Sequence, residues 1–162
     1  MTNSAAAIKA QYDLHTRLFN NALEGIDEAG ATTRNSDQVN HMKWIAGHLL
    51  NTRLDSMTRM TGGEADTSYG AQFGRGMSLD PTATYPPIEQ ITTKWNQVAD
   101  GISGRFTSLP EELLDSEAPA KAPIADESFR GMLAFLVSHE AYHIGQLSIL
   151  RKMLGKEAMS YK

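Results

Sequence analysis

There is no cysteine among the 162 residues. Disulfides, thiolate metal sites and a cysteine nucleophile are therefore excluded, and any bound metal must be held by histidine or carboxylate. No window approaches the roughly 18 uninterrupted apolar residues of a membrane-spanning helix. The start, Met1-Thr2-Asn3-Ser4-Ala5-Ala6-Ala7-Ile8-Lys9, has no charged region followed by an apolar one, as a secretory signal would. The expectation is a cytoplasmic protein with no membrane partner. Long basic runs are missing too: 15 Lys and Arg are interspersed with 19 Asp and Glu, for a net charge of -4. That pattern lacks the electrostatic footprint of a nucleic-acid binder and leaves small molecules as the expected partners. Internal repeats, low-complexity segments and sustained period-two alternation are absent as well, so the expected class is all-α, with residues 1–162 forming one domain.

What is present centres on the stretch from Phe129 to Gly155. Wound as one α-helix, it places Met132, Leu136, His139, His143, Leu147, Leu150 and Leu154 within roughly 80° of one another. Buried imidazoles need a partner or a ligand to offset desolvation. Two of them one turn apart on an apolar stripe call for a common explanation. A divalent metal supplies one, because i, i+4 spacing lets two ring nitrogens reach the same ion.

Three further helices can be read along the chain. Ile8, Tyr12, His15, Leu18, Phe19 and Leu23 recur at helical spacing, giving a first helix over 3–26 with Asn3 and Ser4 as candidate caps. Asn35 and Gln38 form a capping-box pattern that starts a second helix at 35. Its apolar side is Val39, Met42, Ile45, Ala46, Leu49, Met57 and Met60, and Gly62-Gly63 ends it. From Gly62 to Pro86 there is no helical period. A connection of that length can climb back along a bundle, so that the second and third helices run parallel. Pro87 opens the third helix, whose buried stripe is Ile88, Ile91, Trp95, Val98, Ile102 and Phe106. A short helical turn follows near 108–114, and Asp126 or Ser128 caps the central helix.

A third metal ligand must come from His15, His41 or His48. His48 faces inward from mid-helix and ranks first, ahead of His15, which reads as a packed core residue, and His41, which reads as a surface residue near its helix start. His41-Met42-Lys43-Trp44-Ile45-Ala46-Gly47-His48-Leu49 resembles the second-helix signature of the DinB-like (DinB/YfiT) superfamily. His139-Glu140-Ala141-Tyr142-His143-Ile144-Gly145-Gln146-Leu147 is similar to its fourth-helix signature. The resemblance spans essentially the whole chain. It implies a four-helix bundle with up-down-down-up order and a long crossover between helices 2 and 3, a metal held by His48, His139 and His143, and a homodimer. It also implies zinc or nickel as the ion and a low-molecular-weight thiol as co-substrate in transferase or isomerase chemistry. Metal-dependent hydrolysis is the second enzymatic reading. A non-catalytic metal-binding module, its site closed by Asp55 or His15, is the third.

His139-Glu140-Ala141-Tyr142-His143 also fits the H-E-x-x-H pattern of zinc proteases. Gln146 and Ile149 stand where the metzincin extension needs Gly and His, and no histidine follows His143. Glu140 projects roughly 60° to 100° from the histidines, which makes it a surface or dimer-contact carboxylate on this reading. Asn51, Asp55 and Gln146 are candidates for orienting ligands or substrate. Trp44 and Trp95 are expected to pack, and so are Met57, Met60 and Met77 near the long connection.

Overall fold

The computed structural model describes residues 3–161, with side chains from residue 5 onward. Seven helices and no strand are found among the described residues. Four are long: α1 (Asn3–Leu23), α3 (Met42–Thr61), α5 (Ile88–Phe106) and α7 (Phe129–Met153). Three are short: α2 (Glu28–Thr32), α4 (Gly70–Phe73) and α6 (Glu111–Leu114). None is long and apolar enough to cross a membrane. The candidate caps Asn3 and Ser4 lie outside the described side chains.

Cross-helix contacts fix the order as up-down-down-up. Glu28 in α2 accepts from the backbone N–H of Ile88 at 3.0 Å and also pairs with Lys43, which ties the start of α5 to the start of α3. At the other end the Arg105 Nε donates to the Met60 carbonyl at 2.8 Å. α3 and α5 are thus parallel, and the segment between them has to span the roughly 30 Å length of a 20-residue helix. α1 runs against α5, with Tyr12 beside Phe106 and Phe19 stacked on Trp95. α7 runs along α1: His15 meets Glu140, and Arg151 near the end of α7 donates to the carbonyls of Ala22 and Glu24. The expected stripe of α5 is buried from Ile88 to Phe106, and both tryptophans pack in the core. Met60 fills the core as well, whereas Met77 is exposed.

Two boundaries differ from the sequence reading. α3 begins at Met42, seven residues after the capping-box Asn35, because Arg34 folds 34–39 into a turn by donating to the carbonyls of Asp37 and Val39. Val39 is consequently exposed. The cap is His41, whose Nδ1 accepts from the Trp44 N–H at 3.0 Å. Far from being a surface residue, His41 is buried. Its replacement by alanine is expected to cost about 1 kcal/mol, the usual worth of an N-cap, measured by urea unfolding. The second difference lies in the crossover, where Tyr69 and Phe73, four residues apart, are both buried by the short α4. Ser128 does cap α7, accepting from Gly131 N–H at 3.1 Å, and Asp126 supports it by accepting from Ser128 N–H.

The core-facing line of α7 is not the histidine stripe. Leu133, Glu140, Ile144, Leu147, Leu150 and Arg151 are buried along it; of the expected stripe Met132, Leu147 and Leu150 are buried too, while Leu136, His139, His143 and Leu154 are half-buried on the flank. Glu140, expected at a surface, is 0 % exposed. Arg53, also 0 % exposed, meets it in a bidentate pair, Nε to Oε1 at 2.7 Å and Nη2 to Oε2 at 3.0 Å. The His15 Nδ1 lies 3.2 Å from Oε2, which leaves His15 a satisfied core residue. The guanidinium also donates to the Tyr12 carbonyl and to Thr16 Oγ1, and its carbon sits 3.6 Å from the centre of the Trp95 ring. Burial pushes the Glu140 carboxyl up, but the adjacent Arg53 charge and the bonds from His15 and Arg53 outweigh it and hold the group below the ordinary carboxylate range.

Candidate metal centre

His48 reaches the site from the middle of α3, and His139 and His143 reach it from one face of α7. The Nε2 atoms of His48 and His143 each lie 3.2 Å from Nε2 of His139. One ligand atom from each of the three falls within 4.8 Å of the others. His15 and His41 are engaged elsewhere and stand apart from this cluster.

The outer nitrogens of two of the rings decide what the inner ones present. His48 Nδ1 lies 2.7 Å from the Phe73 carbonyl oxygen, and His143 Nδ1 lies 2.7 Å from Gln146 Oε1. A carbonyl oxygen only accepts, so His48 Nδ1 carries its proton, and the Gln146 oxygen fixes the same tautomer for His143. Both Nε2 lone pairs then point inward at His139. If His139 were protonated at Nε2 it would donate to one of them and leave the other unmet; its own Nδ1 is buried without a partner in either case. A cation among the three Nε2 atoms satisfies every inward lone pair. The 3.2 Å spacings are close to the roughly 3.3 Å edge of a tetrahedron built with metal–nitrogen bonds of about 2.05 Å. The donor set fits a borderline ion such as zinc or nickel, and three protein ligands leave a coordination position open.

Electrostatics favour the neutral rings that a metal requires. Burial pushes His143 down to about 4, with the neighbouring histidines adding to the shift and the Gln146 bond opposing it. Burial likewise lowers His139, assisted by His48. In the metal-free protein these shifts have a sign that can be checked. An unfolded histidine takes up its proton near pH 6.5, whereas folded His143 waits until about 4. Between those values the unfolded state binds more protons, so metal-free protein should lose stability as pH falls through that window. Melting curves from pH 7 to 4.5 should show the decline, and the H143A variant should show less of it.

The crossover helps to build the site. Phe73 in α4 presses its ring against Gly47, the residue before His48, and its carbonyl fixes the His48 tautomer. A Cβ on Gly47 would meet the Phe73 ring at 2.3 to 2.6 Å. Gly47→Ala is therefore expected to displace Phe73, cost about 1–3 kcal/mol of stability and free the His48 ring. Trp44, one turn before His48, lies nearly parallel to its imidazole, with ring centres 5.3 Å apart. Sequence reasoning offered Gln146, beside Asn51 and Asp55, as a candidate for orienting ligands or substrate, and Gln146 is the one bonded to a clustered histidine. It missed the Phe73 carbonyl, because backbone acceptors leave no trace in residue type.

A family model described as DinB superfamily matches residues 11–147. The chain belongs to the DinB superfamily. The matched span contains all three clustered histidines and all four long helices in whole or part. No curated protein matches it.

The protease-like pattern in this DinB chain finds no support in the site. A general base must reach a metal-bound water, and Glu140 is fully buried with both oxygens bonded to Arg53 and His15.

Proposed function

We propose that His48, His139 and His143 hold one divalent ion, zinc or nickel, and that this cytoplasmic, single-domain protein is a metal-dependent enzyme acting on a small electrophile. The observation that carries the reading is the set of inward Nε2 lone pairs, two of them fixed by oxygen acceptors on the outer nitrogens. Thiol-dependent transfer is the preferred chemistry. An ion bound by three neutral imidazoles would lower the pKa of a low-molecular-weight thiol at its open position and supply a thiolate nucleophile. The protein's own part is to fix the tautomers of His48 and His143 and to keep His143 unprotonated at neutral pH. Hydrolysis by a metal-activated water is the second reading, and it would need a base other than Glu140. The open cavity on one side of the cluster, lined by His48 and His139, favours an enzyme over a closed module.

The outer face of α7 supports a homodimer, since Tyr142, Ile149 and Met153 are exposed there at 64 %, 57 % and 59 %. Leu133 and Ile144 of the same helix are buried within the chain and lie off this face. Light scattering should give twice the mass of one chain, and I149E should shift the population toward monomer. A monomer mass for the parent would remove the dimer.

The test of the reaction class is a screen of metal-loaded protein with thiols and electrophiles. Product formation should require both metal and thiol and should be absent in H139A. Turnover without thiol would favour hydrolysis.

A further inference from the structure

The cavity beside the histidines has two unlike walls. It measures about 260 Å³ and runs between α3 and α7. From α3 it is lined by His48, Asn51, Thr52, Asp55 and Arg59. At 1.5 Å per residue the Arg59 backbone lies roughly 16 Å along the axis from His48. From α7 it is lined by Met132, Phe135 and Leu136 below His139, and Ala120, Ala122 and Pro123 extend this apolar wall. One side of a bound molecule therefore meets polar groups and the other meets hydrocarbon.

Two observations at the cavity point to a ligand with charge. Asn51 is 6 % exposed and lines the cavity, yet its side chain makes no hydrogen bond with any described residue. The amide, without a protein partner among those residues, opens onto the cavity, the space a ligand would fill. The lining carries half-buried Arg59 and, at its exposed mouth, Arg75 and Lys121, and no described carboxylate pairs with any of them. Asp55 is the only acid on the lining. A mouth with surplus positive charge on a chain of net charge -4 attracts anions where the rest of the surface repels them.

We propose that this cavity selects an elongated organic anion with an apolar body. Its carboxylate lies at the mouth against Arg75, Lys121 and Arg59, its body lies along Met132, Phe135 and Leu136, and a polar group midway bonds Asn51. Its far end is then delivered to the histidines. The inference deepens the functional reading above and rests on it for the histidine end; the selection at the mouth does not need the metal.

The experiment is calorimetric titration of the full chain, metal-free and zinc-loaded, with a series of ω-phenylalkanoates and their neutral amides. The acids should bind at least about ten-fold more tightly than the amides in both forms, with the preference shrinking at high salt. R75Q/K121Q should lose about ten-fold for the acids and nothing for the amides. N51L should weaken both while leaving the melting temperature unchanged or raised, because a purely structural asparagine would lower it. Equal affinity for acid and amide overturns the proposal, as does failure of every member to bind below about 1 mM. Acid binding that needs zinc and ignores R75Q/K121Q places the carboxylate on the ion. That result overturns the mouth site and leaves the metal reading standing. Absence of zinc uptake, with acid preference intact, does the reverse.

Discussion

Alanine at His48, His139 or His143 is expected to lower the affinity for zinc or nickel by orders of magnitude, measured by chelator competition at pH 7. Each ring contributes one of three inward nitrogens. Losing one leaves two ligands that no longer enclose the ion, and much of the binding free energy is lost with the bond. H41A is the control: His41 caps α3 and stands outside the cluster, so its metal affinity should stay near that of the parent while stability falls. Gln146→Leu should fall between, since it removes the acceptor that orients His143 and such partners are worth about 10–100-fold in affinity. If the rings merely packed against one another, all three substitutions would destabilise the fold and none would depend on metal.

Glu140→Ala is expected to be the most destabilising single change in the core, at about 3–5 kcal/mol. It strips the counter-charge from an arginine that is fully buried and leaves His15 without its partner. For a chain of this size that corresponds to a fall in melting temperature of roughly 10 °C or more. The cause is the uncompensated charge, so removing it should recover much of the loss. The pair R53M/E140L, apolar and similar in volume, should be markedly more stable than E140A alone. An E140A loss below about 1 kcal/mol would mean that the pair behaves as a solvated surface bridge, which its burial rules against.

The two predictions separate the faces of α7 that periodicity ran together. Helical spacing correctly placed His139 and His143 on one line, and the resemblance between the two short motifs and the DinB-like signatures joined them to His48. What spacing does not carry is which line faces the core. The usual assumption that leucines mark it made the histidine stripe central, and a glutamate roughly 100° away was assigned to the surface. The fold turns α7 so that Glu140 faces α1 and α3, because Arg53 and His15 wait there to pair with it. A buried ion pair is the case in which hydropathy misleads, since charge at a position normally argues for water. The start of α3 was misplaced for a related reason. Asn35 and Gln38 satisfy a local capping pattern, but Arg34 competes for the same backbone and His41 caps in their place. The long crossover was readable from its length, and the parallel α3 and α5 follow from it. Its role in the site was not, because the contribution is a backbone carbonyl and a ring filling the space beside a glycine.

Metal analysis of tag-free protein combined with melting curves at pH 7 tests most directly whether one ion sits among the three imidazoles. The expected result is about one zinc or nickel per chain, a melting temperature that drops when the ion is stripped and returns when it is restored, and an absorption-edge spectrum fitted by three nitrogen ligands at about 2.0–2.1 Å. Protein that holds no ion when purified, takes up none on titration and melts at the same temperature with and without added metal would contradict it.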